Sequence, residues 1–348
     1  MGNNHSALGI GKLLNLHFYI TSYYDEVIKE ETDRRNIEMS VDYAYKIRKE
    51  VKKHMPKDCR YVIGVSGGSD SIALAYAMKD EGYDFVAVIV DHQLQEDSAQ
   101  FSESARSMLS SYGIESIIHK VDVPVTNTGV EDAARQVRYE ALFSHGEHVV
   151  TGHTKSDQAE TVLLGLKQGS GSSAIAGMRI VSKNTKGFIY RPMLEHITKS
   201  DTQKACDQYG VKYWNDPHNE CDDYTRVRVR NNVLPVMSDQ LGVDMIDKLA
   251  TTAFMVQKER DFIQRFVDEA YTQCVAGDII DVSVLSTHDP LIVSNVVARF
   301  IKTHAGCIKK SWVDSACTLV FDFTGGKVVQ VRNGQLVFRD KKITWLAD

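Results

Sequence analysis

The chain has 348 residues, a formal net charge of −5, 43% apolar residues and 25% charged residues. This length allows two domains, and the composition is typical of a globular protein. The charge excludes a uniformly basic surface for nucleic acid, so any such surface must depend on a local basic cluster.

The N-terminal segment, residues 1–57, carries no chemical motif. Apolar residues at helical spacing within Asp25–Met55 predict one or two amphipathic helices. We expect this helical extension to pack on a catalytic domain or on another subunit.

Strand and helix patterns alternate from Tyr61 onward. The predicted strands are Tyr61–Val65, Phe85–Asp91, Glu115–Val121, His148–Gly152 and Phe188–Arg191. The predicted helices are Ser71–Lys79, Ser98–Tyr112, Val130–Ser144 and Asp157–Leu166. Continuous apolar strands indicate a parallel sheet covered on both faces, here an α/β doubly wound sheet. Ligands of such sheets bind at the edge where the strands' carboxyl ends meet.

A Gly/Ser-rich loop, Ser66–Ser71, connects the first strand to the first helix of this region. Backbone N–H groups and the positive end of the helix dipole converge at such a turn and favour an anion. Its residues are Ser66, Gly67, Gly68, Ser69, Asp70 and Ser71. The glycines allow close approach of a ligand, the serines offer hydroxyl donors, and Asp70 suits a Mg²⁺ that bridges phosphates. The loop is not a Walker A motif, since the Gly-Lys-Ser/Thr ending is missing.

Polar residues also follow two other strands, as Asp91-His92 and Gly152-His153. Asp157 and Glu160 are three residues apart at the start of the next helix and so share a face. A histidine with two carboxylates could hold Mg²⁺, orient an amine and move protons. An ordinary charged helix start explains this segment alone about equally well.

Arginines occur in two groups. Arg135 and Arg138 share a helix face and suit a phosphate, although solvated helix arginines are common. Three more lie beside Tyr224 and Trp214 and form the local basic and aromatic cluster that an RNA site requires. These three are Arg226, Arg228 and Arg230. A charged helix face packed on a second domain is the alternative interpretation.

The pattern changes after Pro235. A long helix is predicted over Leu241–Cys274, and the alternation within Gly326–Trp345 predicts a β-hairpin. We therefore predict a smaller α+β C-terminal domain over residues 238–348, after a catalytic domain over residues 58–237.

Cysteine usage and hydropathy bear on location. The six cysteines form no C-x-x-C pair, which favours free intracellular thiols over disulfides, zinc or an iron–sulfur cluster. No apolar run approaches the ~20 residues of a membrane span, and Met1–Ile20 lacks the pattern of a signal peptide. We expect a cytoplasmic protein that does not associate with a membrane.

The loop Ser66–Ser71 resembles the S-G-G-x-D-S signature of the PP-loop ATP pyrophosphatases. Between Tyr61 and about Met237, the motifs and their order resemble more specifically those of the tRNA(Ile)-lysidine synthetase family. Besides the loop, these motifs are Val90–His92, Ala134–Tyr139, Gly152-His153, Asp157–Thr161, Gly169–Gly171, Arg191–Leu194, Trp214–Pro217 and Arg230-Asn231. The chain departs from the family at Thr154, at Ser156 and at Gln93-Leu94-Gln95, where histidine, aspartate and Gly-Leu-Arg are usual.

The resemblance implies an ATP-dependent ligase that acts on tRNA(Ile) with a CAU anticodon. ATP adenylates the C2 oxygen of the first anticodon cytidine and releases pyrophosphate; the ε-amine of free L-lysine then displaces AMP and leaves lysidine. It implies ATP and Mg²⁺ as cofactors and allows a homodimer. The implied catalytic residues are Asp70, His153, Asp157, Glu160 and Arg135. The implied nucleotide-binding residues are Ser66–Ser71, Asp91, His92 and Gly152, and the implied magnesium ligands are Asp70 and Glu160. The implied RNA-binding residues are Arg138, Arg191, Arg226, Arg228 and Arg230.

Three alternatives stay open. A PP-loop enzyme of tRNA thiolation would rely on cysteine pairs or clusters. An amide-forming PP-loop synthetase would not need the segment Trp214–Asn231. A catalytically impaired tRNA-binding relative would have lost activity through the departures above.

Overall fold

The protein was analysed as a computed structural model. It describes residues 41–93, 97–124, 130–169, 171–214, 225–322 and 328–348. Tyr224, Ser170 and the part of the predicted N-terminal helices before residue 41 lie outside the described residues. Contacts divide the chain into two compact units, Met1–Leu164 with Met178–Ala250 and Gly165–Gly177 with Thr251–Asp348. This division does not test folding units, so the domain boundaries at residues 57 and 237 stay predictions.

The first unit is built on a six-stranded sheet in the order β3-β2-β1-β4-β6-β5. Its strands are β1 (Tyr61–Val65), β2 (Phe85–Asp91), β3 (Ser116–Lys120), β4 (His148–Thr151), β5 (Val181–Asn184) and β6 (Gly187–Tyr190). Five strands are parallel and only β5 pairs antiparallel, on β6. The predicted parallel α/β sheet is therefore confirmed, while the edge strand β5 was not predicted.

Helices connect these strands. In the first unit they are α1 (Tyr43–His54), α2 (Ser69–Asp80), α3 (Ser98–Ser111), α4 (Val130–Phe143), α5 (Lys155–Lys167, which crosses into the second unit) and α7 (Lys199–Gln208). Helix α2 is buried along Ile72–Met78, because it packs between the sheet and its neighbouring helices α1 and α7. Apolar residues of α1 at positions i, i+4 and i+8 join the same core, namely Tyr43, Ile47 and Val51. The amphipathic pattern near residue 50 thus corresponds to a packed helix.

A helical region follows the sheet. It consists of α8 (Thr225–Arg228), a π-helical segment (Val229–Val233), α9 (Leu234–Leu241) and the first residues of α10 (Met245–Cys274). Helix α10 is 30 residues long and mixes charged with apolar residues. Among the described residues, no helix combines the length and apolar character of a membrane span.

The second unit contains a five-stranded antiparallel sheet in the order β7-β8-β11-β10-β9. Its strands are β7 (Val275–Ala276), β8 (Ile279–Asp281), β9 (Val328–Val331), β10 (Gly334–Arg339) and β11 (Lys342–Ala347). Its helices are α6 (Ser172–Ile175), α11 (Val282–Leu285), α12 (Pro290–Ala305) and α13 (Lys310–Phe321). The predicted hairpin is confirmed, and Asn333 occupies its turn with φ of +61°. Arg260 donates a hydrogen bond to Ser172 Oγ at 2.9 Å and so attaches α6 to α10.

Candidate active site

The loop between β1 and α2 is closed by its own side chains. Ser71 Oγ donates to the carbonyl of Gly68 at 3.0 Å and accepts from the N–H of Ser66 at 3.2 Å. Gly67 has φ of +83°, a conformation that favours glycine. Gly68 caps α2 without a side-chain hydrogen bond, so the first N–H groups of this helix have no side-chain cap. The geometry is that of an anion-binding turn.

The loop opens on a cavity of about 410 Å³ at the carboxyl ends of β1, β2 and β4. Nine of the predicted site residues line it: Ser66, Asp70, Ser71, Asp91, His92, Arg138, Gly152, His153 and Asp157. Val88, Ile89 and Leu142 supply an apolar part of the wall. The rings of Phe101 and Trp214, with centroids 4.2 Å apart, form another part. The cavity therefore has an apolar side and a charged side.

Gly152 brings the end of β4 against the loop. A Cβ at this position would lie 3.1 Å from the carbonyl carbon of Asp70 and 3.1 Å from the backbone nitrogen of Ser71. Both atoms belong to the backbone and cannot rotate away. A Cβ would therefore force this backbone to shift by a few tenths of an ångström, so glycine suits the close approach.

Asp70 is held at the N-terminus of α2. Thr202 Oγ1 donates a hydrogen bond to its Oδ1 at 2.5 Å. Burial and the charge of Asp157 together raise the pKa of Asp70 to about 6, although the hydrogen bond from Thr202 opposes both effects. Asp70 is therefore a carboxylate whose charge is poorly compensated by the protein.

Asp157 and His153 also line the cavity. Burial lowers the pKa of His153, and Arg191 and Arg138 lower it further, so the imidazole is neutral at pH 7. Burial would raise the pKa of Asp157, but the positive charges around it, those of Arg226 and Arg230 among them, hold that pKa below its usual value. Thr154 contributes to the same stabilisation, since its N–H and Oγ1 donate to Asp157 Oδ2 at 2.8 and 2.9 Å.

Glu160 is fully buried and does not line the cavity. Arg226 Nε donates to its Oε2 at 2.7 Å, and Arg230 Nε donates to its Oε1 at 2.5 Å. The same guanidinium groups lie 3.4 and 3.5 Å from Asp157 Oδ1. Two of the arginines predicted to bind RNA therefore face the carboxylates predicted for catalysis. Charge-assisted pairs of this kind are strong where solvent is excluded.

The other arginines differ in exposure. The guanidinium groups of Arg135 and Arg138 lie over the ring of Tyr139, 5.2 and 5.7 Å from its centroid. Arg191 is buried, and its Nη1 donates to the carbonyl of Arg179 at 2.8 Å. Arg228 is exposed and donates to Thr225 Oγ1 at 3.1 Å. Of these four, only Arg138 lines the cavity.

Sequence reasoning missed Thr202 and Phe101, and it singled out Thr154 only as a departure from the family pattern. No spacing or motif marks Thr202, because 132 residues separate it from Asp70. Trp214 was singled out for RNA binding. In the structure its backbone N–H donates to the carbonyl of Gly67 at 2.9 Å, so this residue is attached to the anion-binding loop.

The fold and this loop define the class of protein, the PP-loop ATP-binding proteins. A family model described as a PP-loop domain matches residues 39–237. A solved structure, the U34-tRNA thiolase NcsA from Methanococcus maripaludis, shares the fold with a TM-score of 0.50 at 15% identity, covering 62% of this chain and 80% of that one. Membership of this class implies that the protein uses ATP.

Sequence comparison narrows the class. The tRNA(Ile)-lysidine synthase of Cutibacterium acnes is 40% identical over 215 residues, 59% of this chain and 67% of the relative. That of Rhodococcus jostii is 35% identical over 264 residues, 75% of this chain and 79% of the relative. The chain belongs to the tRNA(Ile)-lysidine synthase family. The predicted family is confirmed, and with it the predicted enzyme class, a ligase that forms a carbon–nitrogen bond.

Proposed function

We propose that the protein joins free L-lysine to C2 of the first anticodon cytidine of tRNA(Ile) with a CAU anticodon. In the first step the cytidine O2 attacks the α-phosphorus of ATP, and pyrophosphate leaves. In the second step the ε-nitrogen of lysine attacks C2, loses a proton, and AMP leaves with the former O2. One observation carries the proposal, the cavity that joins an anion-binding turn to Asp70, His153, Asp157 and Arg138.

The turn supports the phosphate half of this reaction. The N-terminus of α2 carries a partial positive charge and N–H groups without a side-chain cap, which suit the departing pyrophosphate. Ser66 and Ser71 line the cavity with hydroxyl groups, and Asp91, the last residue of β2, and His92 line it with their own polar side chains. The apolar wall with Phe101 and Trp214 suits the flat face of a nucleobase.

The donor set at Asp70 fits Mg²⁺. Three carboxylates line the cavity, Asp70, Asp91 and Asp157, and the charge of Asp157 raises the pKa of Asp70. A divalent cation supplies the missing positive charge and stabilises charge on the phosphates when it is bound. We assign Asp70 to this ion. Glu160 suits it less, because Arg226 and Arg230 already donate to both of its oxygens.

Lysine binding is assigned to Asp157 and Glu160. The ε-ammonium group has a pKa near 10.4 in water and must lose a proton before it attacks. Its approach to Glu160 requires Arg226 or Arg230 to release one carboxylate oxygen. The neutral imidazole of His153 orients the amine, and its hydrogen bond to Thr151 Oγ1 at 2.8 Å fixes the ring.

The arginines supply the RNA contacts in this proposal. Arg138 faces the cavity and takes the cytidine's phosphate, Arg135 lies on the same helix, and Arg228 is exposed for the adjacent backbone. The three remaining arginines add positive charge near the site but do not contact the RNA directly. They are Arg191, Arg226 and Arg230. A cytoplasmic location and a homodimer complete the proposal.

A lysine-transfer assay tests the function. The protein is incubated with ATP, Mg²⁺, labelled lysine and a tRNA(Ile) transcript with a CAU anticodon; a transcript with a GAU anticodon is the control. We expect label only in the CAU transcript, together with one AMP and one pyrophosphate per lysine. ATP cleavage without lysine transfer, or sulfur transfer in its place, would contradict the proposal. Asp70→Ala is the control for a contaminating enzyme, since this variant should lose lysine transfer and keep the fold intact.

A further inference from the structure

A second cluster of potential metal ligands lies on α1 and on the turn after β6. Glu50 and His54 are four residues apart on α1, so both side chains leave the same face of the helix. Glu195 and His196 lie in the turn between β6 and α7. None of these residues lines the cavity of the candidate active site.

The ligand atoms of Glu50, His54 and Glu195 all lie within 4.8 Å of one another, close enough to share one metal ion. His54 Nε2 lies 3.3 Å from Glu50 Oε2 and 3.6 Å from Glu195 Oε2. Glu195 Oε2 lies 3.5 Å from His196 Nε2. Ligands about 2.1 Å from a tetrahedral zinc ion lie about 3.4 Å from one another. The three separations agree with that value.

Two of these atoms are buried without a hydrogen bond. Glu50 is 5% exposed. Within the described part of the chain, its Oε2 and the Nε2 of His54 have no hydrogen-bond partner. The two atoms face each other at 3.3 Å without a directed hydrogen bond, and polar atoms buried in this way cost stability. A cation between Glu50, His54 and Glu195 would remove that cost.

We infer that Glu50, His54 and Glu195, with His196 next to Glu195, form a binding site for a divalent transition-metal ion of the zinc type. Two imidazoles and two carboxylates suit Zn²⁺, whereas Mg²⁺ prefers oxygen ligands alone. Lys53 competes with the metal, since its Nζ donates to Glu195 Oε2 at 2.8 Å and lies 3.4 Å from His196 Nε2. The metal displaces this ammonium group from Glu195.

The site links the N-terminal helix to the catalytic unit. Its two ligands in the turn precede α7, the helix that carries Thr202. A metal bound here ties α1 to the segment that positions the hydrogen bond to Asp70. The role is structural, because no ligand of the site lines the active-site cavity.

Zinc binding tests the inference directly. The full-length protein is stripped with EDTA and titrated with ZnCl₂ or MgCl₂, and bound metal is counted by mass spectrometry while the melting temperature is followed. We expect one zinc per chain and a rise in melting temperature with zinc that Glu50→Gln and His54→Asn abolish, whereas the effect of magnesium, which binds at Asp70, should be the same in these variants as in the wild type. Glu50→Gln and His54→Asn should each lose this zinc, and His288→Asn, in the second unit, should keep it.

Lys53→Met tests the site while all of its proposed metal ligands are kept. Removal of the competing charge should tighten zinc binding by roughly five- to tenfold. Absence of zinc from both the wild type and Lys53→Met would overturn the inference and leave the cluster as an ion-pair network. Zinc that persists in His54→Asn would also overturn it, because that metal would be bound elsewhere.

Discussion

Thr202 Oγ1 lies 2.5 Å from Asp70 Oδ1 and donates a hydrogen bond to it. Thr202 is fully buried, and its hydroxyl group also contacts the carbonyl of Lys199 and Ser69 Oγ. This hydrogen bond opposes the burial and the Asp157 charge that raise the pKa of Asp70. The threonine thus helps to keep Asp70 ionised at neutral pH.

Thr202→Val should shift the acid limb of the pH–activity profile to higher pH. The substitution removes a hydrogen bond to a charged group, so the pKa of Asp70 rises from about 6 by roughly one unit. The measurement is the rate of lysine transfer between pH 5 and pH 9 with saturating ATP. Thr202→Ser keeps the hydroxyl group and should restore the wild-type limb. If the acid limb of Thr202→Val lies at the same pH as in the wild type, the ionisation of Asp70 does not control this limb.

Asp70→Asn should stabilise the protein while it removes activity. The pKa of Asp70 is raised from 3.8 to about 6 in the folded state, so this carboxyl group costs stability progressively as pH rises through that interval. At pH 8 the variant should gain roughly 2 kcal/mol in the free energy of unfolding, and much less at pH 4. Urea unfolding at both pH values measures the difference.

Asp157→Asn is the matched comparison, and its change in the free energy of unfolding should have the opposite sign. The pKa of Asp157 is lowered in the folded state, so its charge contributes stability that is present above its unfolded pKa and lost as pH falls. We expect a loss of unfolding free energy at pH 8. A gain in Asp157→Asn would contradict the assignment of opposite shifts to these two carboxylates.

Glu160→Gln should destabilise the protein by about 3 kcal/mol, because it leaves Arg226 and Arg230 facing each other without their buried anion. Arg228→Met, on the same helical region but exposed, should change stability by less than about 0.5 kcal/mol. Chemical denaturation measures both. The double variant Glu160→Gln with Arg230→Met should recover part of the loss, and strict additivity would argue against a shared ion-pair network.

Gly152→Ala should weaken ATP use at least tenfold in kcat/KM. The added Cβ would push against the backbone of Asp70 and Ser71 and displace the anion-binding turn. Gly171→Ala is the control, since a Cβ there meets no atom within 4 Å. ATP–pyrophosphate kinetics on both variants provide the measurement, and equal values would refute the close approach.

Local sequence was sufficient for most of the first sheet. The predicted ranges of β1 and β2 agree with the structure, because each is a continuous apolar run with polar residues directly after it. Strand β5 (Val181–Asn184) was missed since most of its residues are exposed and carry no apolar pattern. Helix α2 begins at Ser69 instead of Ser71, because helix ends depend on backbone hydrogen bonds more than on composition.

The sequence by itself determined the parallel sheet, the anion-binding turn and the residues near it, because periodicity and glycine placement act over a few residues. Only the tertiary structure decided the partners of those residues. It brought Thr202 to Asp70 across 132 residues and paired Arg226 and Arg230 with Glu160. The physical reason is burial: a charge in the interior must find a partner there, and the chain order does not specify which one.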